Sequence, residues 1–451
     1  MSLIALGDLL AGARPGSHCV AIQDGRPITL ARLRADTCHN ADRLATSAIR
    51  RGAVVCQDGY WFIVGVLALI KIGAEVILPP NAQEGTLRSL AGEVDALLTD
   101  TETIAVGNKL GLEASHAAAE PFALDNAEGR IDFFTSGSTG EMKRVAKSLA
   151  LFEREAAVLE QMWGAELGAV PIVGTVTHQH VFGMTFRIIW PLAAGRPFHT
   201  EVHVAWEPLM AQLHGPAMIV ASPAQLMRLG GLAPLAPANR PRLIITAGAP
   251  LPAAAAREAT GIFGCAPTEI FGSTEAGVIA WRRDATEPVL WQPLPSVEVA
   301  SRADGVLLLR SPHASGEGWR EQADRITFTP DGRFRLEGRS DRVLKIEGQR
   351  VSLPRLEREL ASLPWIAEAA VAGLGGKRAC LGAVVRLTAA GHAELERLGK
   401  FRFERMLRRE LSSTEDLAVL PRRWRFVDLI PLDGLGKRRV RDVVALLEQA
   451  S

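Results

Sequence analysis

The chain has 451 residues, 47% hydrophobic and 22% charged, which suits two or three folded domains and excludes a disordered tail. Its 51 basic and 50 acidic residues nearly cancel, so bulk charge offers no handle for nucleic acid or an anionic membrane. Five scattered cysteines, never spaced C-x-x-C, argue against a disulfide framework or a structural zinc site, and the N-terminus lacks the basic region of a signal peptide. A cytoplasmic protein is expected.

In chain order, helical patterns over Leu30–Arg51 and Trp61–Gly73 alternate with short apolar strand patterns. The strands are Ala53–Cys56, Glu75–Leu78 and Ala96–Thr99. Such alternation predicts a parallel sheet covered by helices. The apolar stretch Trp61–Leu78 is broken by Lys71, Gly73 and Glu75, so it reads as a helix, a turn and a strand rather than a membrane span. Strand patterns continue at Ala217–Val220 and Arg242–Thr246. Beyond about residue 285 the texture becomes β-rich, with Val306–Leu309 and then Arg325–Phe328 joined to Phe334–Leu336 through Pro330-Asp331-Gly332, a hairpin. Gly373-Leu374-Gly375-Gly376 between two apolar runs reads as another hairpin turn. The fold class is therefore α/β and multi-domain. A large N-terminal domain over 1–340, of helix-covered sheets plus a β-rich subdomain, precedes a small α+β domain over 341–451.

Four motifs could carry chemistry. An apolar strand runs into Thr135-Ser136-Gly137-Ser138-Thr139-Gly140, with Lys143 following. Glycines let backbone N–H groups approach a phosphate, hydroxyls add donors and the lysine adds charge. The spacing is not that of a Walker A loop. The others are Ile270-Phe271-Gly272-Ser273-Thr274-Glu275, then Gly338-Arg339-Ser340-Asp341-Arg342, then Asp433-Gly434-Leu435-Gly436-Lys437. Singly, these last three read as a helix cap, a charged linker and a solvated glycine loop. His178-Gln179-His180 would put two histidines on one face of a strand, but a third metal ligand is lacking nearby.

Together and in this order, the motifs resemble those of the adenylate-forming superfamily: acyl- and aryl-CoA synthetases, peptide-synthetase adenylation domains and firefly luciferase. The resemblance spans essentially the whole chain. It implies a mobile C-terminal domain and ATP with Mg²⁺ as cofactors. It assigns Thr135, Ser136, Gly137, Ser138, Thr139, Gly140 and Lys143 to the β- and γ-phosphates. Gly248, Ala249 and Pro250, with Glu269, Ile270 and Phe271, match the adenine site. Thr274 matches the α-phosphate contact, Glu275 the Mg²⁺ carboxylate, and Asp324 with Arg339 the ribose site. Asp341 matches the hinge and Lys437 the mobile catalytic lysine. His180, Phe182, Ser222, Pro223, Ala247, Gly248 and Gly272 are the acid-pocket candidates.

Gln322-Ala323 stands where the superfamily usually has Thr-Gly, and Glu347 where it often has arginine. The stretch Thr177–Met184 and the compact length are similar to aromatic-acid:acyl-carrier-protein ligases of aryl-polyene and xanthomonadin pigment biosynthesis. That implies an aromatic, hydroxybenzoate-type acid, with an acyl carrier protein as the thiol acceptor. An aryl- or acyl-CoA ligase is the close alternative, and a catalytically silent nucleotide-binding module the alternative of another class. From Arg342 to Ser451 the net charge is +7, against −6 for the rest. Arg402, Arg405 and Arg409 share one face of a predicted helix over Phe401–Leu411, with Phe403, Met406 and Leu407 on another. That face suits an acidic carrier protein, though CoA is also polyanionic.

Overall fold

The computed structural model describes residues 2–104, 108–124, 129–136, 142–283, 289–314, 316, 318–339, 343–346, 349–374, 380–412, 420–432 and 438–449. The chain divides into two compact units, Met1–Glu298 with Arg310–Gly318, and Val299–Leu309 with Trp319–Ser451.

The larger unit is built on two sheets. The first runs Lys109–Gly111, Ala96–Thr99, Arg51–Val54, Glu75–Leu78, Arg130–Ser136, Met142–Ser148. All its pairs are parallel except the last, a hairpin. The predicted helix after Leu30 ends at Thr46 rather than Arg51, because Arg51 is recruited as a strand residue opposite Glu75. The second helix, Gly59–Lys71, is capped by Asp58, whose carboxylate accepts from the Tyr60 and Trp61 N–H groups at 2.8 and 3.1 Å. Phe62, Ile63, Val64, Val66 and Leu69 are all buried, so the most apolar stretch of the chain serves as core. Among the described residues no helix is long and apolar enough to cross a membrane.

The second sheet has nine strands, in the order Gln292–Pro293, Gly277–Arg282, Pro267–Ser273, Leu243–Ala247, Met218–Ala221, Ile172–Gly174, Phe198–His199, Cys19–Gln23, Arg26–Thr29. The run from Pro267–Ser273 to Cys19–Gln23 is parallel throughout. Parallel strands buried on both faces read as continuous Ile, Leu and Val, as Met218–Ala221 and Leu243–Ala247 do.

The smaller unit contains the four-stranded antiparallel sheet Glu298–Ser301, Val306–Arg310, Arg320–Phe328, Phe334–Arg339. Its last two strands form the predicted hairpin. A three-stranded sheet, Ile366–Leu374, Cys380–Leu387 and Arg423–Phe426, follows. The first two of these strands are antiparallel neighbours, and the Gly375-Gly376 part of their connection lies outside the described residues. The helix Lys400–Leu411 buries Phe403, Leu407 and Leu411, leaves Met406 partly buried and exposes Arg402, Arg405 and Arg409, as its periodicity predicts.

Candidate active site

Because six strands of the second sheet are parallel, their carboxyl ends lie along one edge. In open α/β sheets ligands bind in the crevice outside that edge. Four candidate segments start there. Thr175–Gly183 follows Ile172–Gly174, Ser222-Pro223 follows Met218–Ala221, Gly248-Ala249-Pro250 follows Leu243–Ala247, and Thr274-Glu275 follows Pro267–Ser273. The topology thus brings together residues separated by a hundred positions.

Within this group the charges are organised. Lys143 Nζ donates to Glu275 Oε1 at 2.5 Å. Burial pushes the Glu275 carboxyl up. The Lys143 hydrogen bond and charge, with its own backbone N–H and the Ser273 hydroxyl, outweigh that and hold it below its usual range. Lys143 sits on Met142–Ser148, in register with Thr135, so it is anchored across the ladder from the strand that leads into Gly137. Gly137, Ser138, Thr139 and Gly140 lie outside the described residues, as do Asp341 and Lys437; for Thr135, Ser136 and Arg339 only the main chain is described.

Glu269 and Ile270 are buried. Glu269 Oε1 pairs with Arg282 Nη2 at 2.5 Å and its Oε2 accepts from the Leu251 N–H at 3.0 Å. Arg282 in turn lies 5.1 Å over the Trp291 ring, which contacts Phe271 at 5.7 Å between centroids. Glu269 therefore fastens the end of the Gly248–Pro250 turn, and half-buried Phe271 is the member of its triplet with surface to offer. A Cβ on Gly272 would lie 2.3 Å from the Gly277 carbonyl oxygen, so the hairpin's own closeness requires glycine there.

The expected strand carrying His178 and His180 is instead a turn, and Val181–Gly183 opens a helical run. The reason lies in the first sheet. His178 Nε2–H donates to the Cys56 carbonyl at 2.9 Å, and the Gln179 amide donates to the Val54 carbonyl, so both side chains are spent on the end of strand Arg51–Val54. Burial, with the Arg187 charge, lowers the His178 pKa to about 3, so it is a neutral core histidine. His180 and Phe182 are half-buried, with Phe182 against Phe186 at 5.2 Å. Ser222 accepts from the Gln225 N–H at 3.3 Å as a helix cap, and Pro223 is buried as the first helical residue. In the smaller unit Asp324 and Arg339 are register partners on adjacent strands.

Residues 91–309 match the AMP-binding enzyme family. The match covers 219 of the 451 residues, just under half of the chain. With the relatives that follow, it marks the chain as an AMP-forming ligase, which uses ATP to adenylate an aryl or acyl acid. A 4-coumarate–CoA ligase of Rhodobacter capsulatus is 29% identical over 68% of this chain and 74% of its own. A salicylyl-CoA synthase/salicylate adenylyltransferase of a Streptomyces species is 24% identical over 94% of this chain and 91% of its own. The crystal structure of ATP-bound MatB from Rhodopseudomonas palustris superposes with a TM-score of 0.81 at 19% identity, covering 99% of both chains. The ligase thus has the two-domain fold of adenylate-forming enzymes.

Motif reading missed four buried polar or charged side chains of the larger unit: Lys147, Glu155, Arg282 and His313. One signal was available, since Lys147 shares a strand face with buried Val145.

Proposed function

We propose that the enzyme converts an aromatic carboxylic acid and ATP to the acyl-adenylate and pyrophosphate, then passes the acyl group to a phosphopantetheine thiol. The convergence of Lys143, Thr274 and Glu275 at the carboxyl edge of a parallel sheet, beside the Gly248–Pro250 turn, carries this reading. The 4-coumarate and salicylate relatives support an aromatic acid.

The loop from Thr135 to Gly140 and Lys143 takes the β- and γ-phosphates, Thr274 the α-phosphate, and Gly248, Ala249, Pro250 and Phe271 the adenine, with Glu269 and Ile270 behind them. Asp324 and Arg339 serve the ribose. His180, Phe182, Ser222, Pro223, Ala247 and Gly272 surround the acid. Glu275 fits a hard divalent cation: it is an oxygen donor held ionised, and among the described residues no group of three His, Cys, Asp or Glu forms a protein-only cage. Glu275 would hold Mg²⁺, which when bound would supply charge stabilisation to the departing pyrophosphate. Five free cysteines suit a reducing cytoplasm. Pyrophosphate exchange with a panel of benzoates and cinnamates tests the reading. Exchange with none of them, despite ATP binding, would leave a silent nucleotide-binding module.

Residues 1–340 form the adenylating domain in this proposal and 341–451 the mobile one, with Asp341 as the pivot. Two half-reactions at one site need two presentations of the small domain, so the backbone must turn at a point. Fixing φ near −65° with Asp341→Pro is expected to impair one half-reaction more than the other, measured as exchange against thioester formation. Equal loss of both in a folded variant counts against the pivot.

CoA leads as acceptor, because the 4-coumarate and salicylyl relatives are named for it. A carrier protein is the second reading, supported by the exposed arginine face of Lys400–Leu411. If it holds, Arg402→Glu/Arg405→Glu will slow carrier loading and leave exchange untouched. Efficient CoA thioester formation with no loading of any carrier removes the second reading.

A further inference from the structure

The turn bearing Thr274 and Glu275 is held from behind. Strand Gly277–Arg282 pairs on one side with Pro267–Ser273, while on its other side Gln292–Pro293 reaches only Ala280 and Trp281. At Val278 the main-chain groups bond to two side chains from distant parts of the same unit. Its N–H donates to Glu155 Oε1 at 2.6 Å, and its carbonyl accepts from His313 Nε2–H at 2.8 Å. Glu155 comes from the helix Leu149–Leu167, and its other oxygen accepts from the Thr185 hydroxyl at 3.1 Å. Lys147 completes the group, its Nζ donating to the His313 carbonyl at 3.4 Å.

Glu155, His313 and Lys147 are 1%, 0% and 2% exposed. Gly277 makes the convergence possible. Its φ is +69°, and a Cβ there would lie 2.4 Å from Glu155 Oε1 and 2.8 Å from His313 Cδ2. Burial lowers the Lys147 pKa, while the Glu155 and Glu275 charges pull it back up. Burying a lysine, a glutamate and a histidine carries a desolvation cost that an apolar core would not. Here the polar cluster sits three residues beyond Glu275.

We propose that Lys147, Glu155 and His313 are positioning residues that fix the Thr274–Glu275 turn for adenylation, by holding the peptide groups of Val278. This rests on the ligase reading above. Reacting groups must be held to within about 0.5 Å, and supporting bonds of this kind do that.

The test compares Glu155→Leu, which cannot accept from Val278, with Glu155→Gln, whose amide oxygen can. In folded Glu155→Leu, the kcat of pyrophosphate exchange is expected to fall about 10²-fold, the cost of a small misplacement, while KM for ATP stays unchanged. Hydrogen–deuterium exchange over residues 272–280 should accelerate in that variant. Glu155→Gln should recover most of the rate and the protection. If Glu155→Leu does not fold, His313→Leu, which removes only the bond to the carbonyl, carries the same comparison. Full kcat in a folded Leu variant, or equal loss in Leu and Gln, overturns the proposal. Wild-type protein that exchanges pyrophosphate with no acid overturns the ligase reading instead, so the two failures are distinct.

Discussion

In the Lys437→Ala variant, acid-dependent pyrophosphate exchange is expected to drop by about 10²–10³-fold, with ATP affinity retained. The acid and ATP are both anions, so their approach is opposed by charge, and negative charge grows on the α-phosphate as the bond forms. A cation aimed at that charge lowers the barrier in the transition state rather than in the ground state. Lys437 follows the glycine-rich sequence Asp433-Gly434-Leu435-Gly436, and all five residues lie outside the described ones. Lys143, by contrast, is held on a strand against Glu275. The two lysines therefore separate experimentally: nucleotide titration should report Lys143→Ala, and exchange rates should report Lys437→Ala. Near wild-type exchange in Lys437→Ala would remove the catalytic assignment.

The largest stability effect is expected at Glu269. It is 5% exposed and Arg282 is 7% exposed, so deleting the carboxylate leaves a buried guanidinium without its counter-charge. Breaking such a pair on one side typically costs about 3–5 kcal/mol. Glu269→Ala also strips the Leu251 N–H of its acceptor and frees the end of the Gly248–Pro250 turn. Denaturant unfolding should show a lower midpoint, and KM for ATP should rise in the protein that remains folded. The paired change Glu269→Leu/Arg282→Met removes both charges and should regain much of the stability without regaining the nucleotide affinity. An unchanged unfolding midpoint for Glu269→Ala would contradict the geometry.

Local pattern made much of the fold legible. Glu75–Leu78 and Ala96–Thr99 are strands over the residues that their apolar runs predict, and the helix Lys400–Leu411 buries the face that its spacing assigns. Termini followed competition instead: Arg51 could continue a helix by its neighbours' pattern, but the strand partner Glu75 claims it. The His178–His180 error has the same origin. A histidine on an apolar stretch looks like part of a strand, and only the tertiary fold reveals the Cys56 carbonyl that holds it in a turn. The candidate site was legible where short motifs carry it, as at Lys143 and Glu275. The bonds to Val278 come from single buried side chains, Glu155 on a helix and His313 in a loop, and no local signal tells such a residue from a surface one.

The parallel edge has a consequence for how this enzyme could change its acid. The residues proposed to surround it, His180 and Phe182, Ser222 and Pro223, and Ala247, lie at the ends of three different strands whose register is set by main-chain bonds. Side chains there can vary one segment at a time while the ladder beneath stays intact. The nucleotide side lacks that modularity, because Glu269, Arg282 and Leu251 are bonded to one another across strands. Selection or directed evolution for a new acid therefore has three separable dials at this edge, whereas a new nucleotide would require a coordinated change.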